Sequence, residues 1–130
     1  MLPMIAFTAA TDEVVVAVRP LYLDEPSEPL QHKLVFGYHV RVENHGDAEV
    51  QLLRRHWTIT DGLGRVQEIE GDGVIGQQPV IAPGGFHEYE SFCVLPTFEG
   101  EMSGSYLMER ASGARFRAII PPVPLRAAAN

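Results

Sequence analysis

Six residues in the middle of the chain, Gly71-Asp72-Gly73-Val74-Ile75-Gly76, spell G-x-G-x-x-G, the spacing with which dinucleotide-binding proteins cradle a pyrophosphate. That chemistry needs more than glycine. A buried apolar strand must precede the motif and a helix must follow it, so that the helix N-terminus offers amides and partial positive charge to the phosphates. Here the preceding segment, Arg65-Val66-Gln67-Glu68-Ile69-Glu70, is half charged. Pro79, Pro83, Gly84 and Gly85 would break any helix begun near Gly73. Glu88 and Glu90 stand near the spacing of a ribose-binding acid, but with no crossover helix before them. Gly71, Gly73 and Gly76 are therefore read first as conformational, supplying positive φ or close backbone approach in a connection between strands. A second reading keeps them as an anion-binding nest of successive amides, opposed by the negative charge of Glu70 and Asp72.

The other residue types capable of chemistry lie apart. Arg54 and Arg55 adjoin Trp57; one is expected to point inward and pair with a carboxylate such as Asp61 or Glu68, the other to face solvent. Together they are also a candidate recognition surface for an acidic group of a partner. His32, His39, His45, His56 and His87 show no H-x-H or H-x3-H ligand spacing, so no metal site is assigned. Cys93 alternates with Phe92 and Val94 and reads as a small buried hydrophobe. No serine sits in a nucleophile elbow, and neither a catalytic residue nor a cofactor is assigned.

The elements that must position these residues read as strands. Glu13 to Arg19 is valine-rich and is expected to stop at Pro20, and the proline-rich acidic run from Pro20 to His32 reads as an exposed loop. Between Leu34 and Val42, apolar residues alternate strictly with the rest, the period of a half-buried strand. After the turn Asn44-His45-Gly46-Asp47, parity changes between Val50 and Leu52 on one side and Trp57 and Ile59 on the other. That change predicts a β-bulge near Leu53 to Arg55. Further strands follow at Arg65 to Glu70, Phe86 to Leu95, Met102 to Arg110 and Arg115 to Ile120, with Pro121-Pro122-Val123-Pro124-Leu125 ending the ordered chain. Roughly eight short strands with turn signals every 8 to 12 residues describe an all-β fold, an antiparallel β-sandwich. Trp57 takes its central tryptophan position, and Tyr89 is expected at a corner, its hydroxyl returning to backbone.

At 130 residues the chain is read as one domain, with residues 1–12 as an N-terminal arm or edge strand and 126–130 as a tail. A net charge of −7 opposes binding to nucleic acid or to anionic membrane surfaces. No apolar run approaches the roughly 20 residues of a membrane span. One cysteine, which has no partner within the chain for a disulfide, points to the cytoplasm.

The long stretch from Val35 to Leu95, with Leu52-Leu53-Arg54-Arg55-His56-Trp57-Thr58-Ile59-Thr60-Asp61, the glycine motif and the later Gly104-Ser105-Tyr106-Leu107-Met108, resembles the ApaG family of small bacterial proteins. The resemblance spans roughly Val14 to Leu125 and implies an immunoglobulin-like or fibronectin type III-like sandwich. It implies no chemistry: the family is linked genetically with cobalt and magnesium tolerance without an established activity. Similar domains occur in an F-box protein and in a polymerase-interacting protein. The expectation is a non-enzymatic protein-interaction or accessory module whose partner is another protein, with homodimer formation left open. The competing expectation is a small-ligand binder holding pyrophosphate, a nucleotide or a divalent cation at the glycine loop.

Overall fold

In a computed structural model, which describes residues 5–127, these residues form nine antiparallel strands. They are Phe7–Thr11 (β1), Val14–Glu28 (β2), Lys33–Asn44 (β3), Val50–Asp61 (β4), Val66–Asp72 (β5), Val80–Ile81 (β6), Phe86–Leu95 (β7), Glu99–Arg110 (β8) and Arg115–Arg126 (β9). The first sheet has the order β1-β2-β3-β7, the second β5-β4-β8-β9 with β6 also on β4. The inner faces of the two sheets enclose one apolar cluster.

Alternation sets the faces. In β3 the side chains of Leu34, Phe36, Val40 and Val42 are buried, while Val35, His39, Arg41 and Glu43 line the outer face. In β4 the alternation breaks where expected: Leu52 pairs with Met108 and Arg54 with Leu107, so Leu53 is an extra residue. Beyond this bulge Arg55, Trp57 and Ile59 share the inward face. Trp57 is 2% exposed and meets Tyr106 edge-on and Tyr38 at a tilt, with centroids 6.4 and 5.2 Å away. Buried Asn44 ends β3 with its polar atoms satisfied: Nδ2 donates to Ala48 and Ile81 carbonyls, and Oδ1 accepts from the Gly46 amide.

Four expectations are corrected. Pro20 does not stop β2, which continues through Leu21, Tyr22 and Leu23 opposite β3 and then bulges before Glu28. The segment read as an acidic loop is therefore mostly strand. Among the described residues β1 covers β2 only as far as Val18, so Pro20 and Pro26 lie where β2 has no second ladder to interrupt. The C-terminal proline run is likewise strand: between the pairs Met102–Val123 and Gly104–Ile120, two residues of β9 oppose the single Ser103 of β8, placing Pro121 and Pro122 in a bulge on an edge strand. Val123 and Leu125, in the run expected only to end the ordered chain, are fully buried, and Arg126, expected in the tail, still belongs to β9; residues 128–130 lie outside the described residues. The Tyr89 hydroxyl meets that of Tyr106 in the opposite sheet, not backbone. Of the arm at 1–12, Phe7–Thr11 is an edge strand, turned into β2 by Asp12 and Glu13 at φ 45° and 71°. Residues 1–4 lie outside the described residues.

Truncating Trp57 to Ala removes the aromatic that both sheets share and is expected to cost about 3–5 kcal/mol, read from urea unfolding; native tryptophan emission should be blue-shifted. Burial pushes the Cys93 thiol up to about 12. In the native protein it should stay silent to a thiol reagent at mildly alkaline pH and react fully after denaturation.

Candidate functional site

The glycine motif is organised by the bulge on the strand beside it. The carbonyl of Leu53 accepts hydrogen bonds from the Gly73 amide (2.8 Å) and from Gln78 Nε2 (3.0 Å), so the motif closes over the bulge. Arg55, turned inward by the bulge, lies directly opposite Gly71 in the ladder. Its guanidinium fills the space that a side chain at 71 would need: a Cβ there would come within 2.8 Å of Nη2. Nη1 of Arg55 then donates to the carbonyls of Asp72 and Gly73, both at 3.0 Å. Arg54, on the outer face, pairs with Asp72 at 2.5 Å.

The inward arginine was expected to find a carboxylate, Asp61 or Glu68. Both are engaged elsewhere. Asp61 accepts from the amides of Leu63 and Arg65 and from Arg65 Nε; burial tends to raise its carboxyl, but these donors outweigh it and hold it below the usual carboxylate range. Glu68 lies opposite Thr58 on the outer face, next to His56, whereas Arg55 points the other way. Backbone carbonyls released from the ladder by the loop take the carboxylate's place. The second arginine faces solvent as expected: Arg54 is exposed on the outer face, where it pairs with the exposed Asp72.

Beyond Gly73 the chain makes one tight turn. The Val74 amide donates to the Gln77 carbonyl (2.8 Å) and the Gln77 amide to that of Val74 (3.0 Å), with Ile75 and Gly76 between them at φ 46° and 73°. This is a type I′ turn. Gly73 itself has φ 62°, and a Cβ on it would lie 2.1 Å from the Gln77 carbonyl oxygen. Val74 is buried and anchors the loop in the core, whereas Ile75 at the tip is 63% exposed. No helix follows the motif; the turn and β6 occupy its place. The amides of Gly73, Val74 and Gln77 are engaged within the protein.

Behind Arg55 stands a group that sequence reasoning did not assemble. Tyr38, Tyr89 and Tyr106 converge on Trp57 from both sheets, and Tyr89 and Tyr106 share a hydroxyl hydrogen bond. Burial raises all three phenols, the positive charge of Arg55 pulling weakly the other way. They stay neutral at physiological pH and serve as packing and hydrogen-bonding groups. The signal was present in parity: each tyrosine shares the inward phase of its strand. Ile75 carried no such signal, because its conformation depends on the Val74–Gln77 closure.

Among the described residues no group of three or more His, Cys, Asp or Glu is arranged to hold a metal ion. His39 faces Glu88, His45 faces Glu43, and His56 faces Glu68 and Glu70. No helix among the described residues is long and apolar enough to cross a membrane.

The protein is thus of the antiparallel β-sandwich class, with a glycine motif that seals a bulged strand. The model of the ApaG domain matches residues 24–110, and the chain belongs to the ApaG family. It is 48% identical over 119 residues to Protein ApaG of Paramagnetospirillum magneticum, covering 92% of each chain. To Protein ApaG of Pseudomonas paraeruginosa it is 51% identical over 109 residues, covering 84% of this chain and 86% of that one. A crystal structure of an ApaA protein from Bordetella pertussis superposes with a TM-score of 0.87 at 44% identity, over 90% of this chain and 95% of that one.

The geometry separates the two loop glycines in a measurable way. Gly76→Ala meets no atom within 4 Å and should cost only the left-handed backbone, about 1 kcal/mol. Gly73→Ala adds a collision with backbone and should cost about 2–3 kcal/mol or more. Paired urea titrations read the difference, and equal losses would contradict the closure described.

Proposed function

We propose that the chain is a non-enzymatic interaction or accessory module of the cytoplasm, and that it presents the glycine loop to a partner protein. The observation that carries this reading is Ile75. A β-branched residue in the left-handed region is strained by on the order of 1–3 kcal/mol, and this one returns nothing to its own core because its side chain points to solvent. Strain retained at an exposed apolar tip is accounted for when a partner buries the tip. The loop suits that role, since Val74, the Arg55 tether and the Gly73 bond to Leu53 hold it before binding and little ordering entropy remains to be lost. Arg54 and Asp72 supply a polar rim beside the tip. In this reading the cobalt and magnesium tolerance linked with the family acts through the partner.

Ile75→Asn tests it, because Asn-Gly is the favoured pair of a type I′ turn. The variant should be more stable than the parent by about 1 kcal/mol. It should also lose the protein that co-purifies with the tagged parent from its native host, while Leu63→Ser, at another exposed apolar tip, keeps it. An Ile75→Asn protein that retains the same partner overturns the reading. So does a thermal shift of the parent with pyrophosphate, Mg2+ or Co2+ that is absent in Gly73→Ala. A ligand at 100 times its dissociation constant adds about 2.7 kcal/mol, and that outcome would favour a small ligand at the loop.

A further inference from the structure

Among the described residues no layer lies over the outer face of the first sheet, and its side chains fall into cross-strand rows. Leu23, Val35 and Val94 form one row; Leu21, Gly37 and Phe92 the next; Arg19, His39 and Glu90 the third. Gly37, without a side chain, leaves a groove of about 370 Å3 between Leu21 and Leu23 on one side and Phe92 on the other. Phe92 is 66%, Val94 46% and Leu21 40% exposed. Contiguous apolar surface bordered by charge is the mark of an interaction site.

The charged row says what fits. Arg19 and Glu90 lie on the two strands flanking β3, two strand spacings or roughly 10 Å apart, too far to pair with each other. Among the described residues neither has an ion-pair partner; the neighbouring Glu88 is the carboxylate that engages His39 and Arg41. A cation on one flank and an anion on the other form a self-complementary pattern.

We infer that this face joins two copies of the chain in a two-fold homodimer whose axis runs along β3. Rotation about that axis exchanges the β2 and β7 flanks. Arg19 then meets Glu90 of the second copy, and Glu90 meets its Arg19, giving two identical ion pairs. The same rotation sets Leu21 over Phe92 and closes the groove at Gly37 from above. An axis across the strands is disfavoured, because it lays the charged row on the apolar rows of the other copy and leaves both charges buried without partners. Aligned packing of two sheet faces is an ordinary geometry for such a contact. The inference rests on a different surface from the glycine loop, which stays free in the dimer.

Sedimentation equilibrium of the full chain at rising concentration tests it, with circular dichroism confirming the fold of each variant. The parent should reach the dimer mass. Phe92→Ser should abolish association, and Arg19→Glu or Glu90→Arg alone should weaken it by roughly ten-fold or more through like-charge contacts. The double variant Arg19→Glu with Glu90→Arg should restore it, an outcome that a loss of folding cannot imitate. A parent that stays monomeric up to millimolar concentration overturns the inference and leaves the face to a different protein. A dimer indifferent to Phe92→Ser, or one that the double exchange fails to rescue, overturns it equally.

Discussion

The bulge leaves Leu53 without a partner residue in β8, and much of the domain follows from how its carbonyl oxygen is satisfied. The Gly73 amide and the Gln78 side chain both reach it, which draws the segment after β5 back across β4. The same inserted residue reverses the phase of β4, so Arg55 turns under that segment and Trp57 into the core. Arg55 in turn engages the carbonyls of Asp72 and Gly73 that the loop releases. One extra residue thus creates both the unsatisfied groups and the side chain that satisfies them.

The interior behind Arg55 shows why a guanidinium is tolerated there. Tyr106 is fully buried and Tyr89 partly so, and an unpaired hydroxyl between them would carry a desolvation penalty. Each hydroxyl uses the other, and the bond bridges the two sheets. The arginine lies at the margin of this group and bonds to carbonyls at the surface end of its side chain. Its aliphatic stem packs while its charge stays near solvent.

How much of this was legible in sequence depends on whether the deciding force was local. The alternation from Leu34 to Val42 and the parity break at Leu53 are consequences of burial on one face, and both were read correctly; so was Phe86 to Leu95 as a complete strand. The prolines of β2 and β9 misled because their effect depends on whether a second ladder lies beside them, a fact of sheet order that no window of sequence contains. The Asp12–Glu13 turn has no glycine and so gave no turn signal, although both residues adopt left-handed dihedrals. In the candidate site the glycines were legible as conformational, but the partners of Arg54 and Arg55 were not. Seeing that Arg55 meets the carbonyls of Asp72 and Gly73 instead of Asp61 or Glu68, and that Arg54 meets the Asp72 carboxylate, required knowing which strand lies opposite and in which phase.

Sheet order has a kinetic side. β1, β2 and β3 are successive neighbours, as are β8 and β9, and such hairpins close quickly. β7 instead joins β3 only after the chain has left the first sheet and run through β4, β5 and β6, so its pairing bears the loop-closure entropy of all the chain between. The Tyr89 to Tyr106 bridge ties this late-arriving strand to the opposite sheet. An interaction formed after the folding barrier slows departure from the native state without hastening arrival, and the bridge is in that sense a latch: it sets how long the closed sandwich persists more than how quickly it is reached.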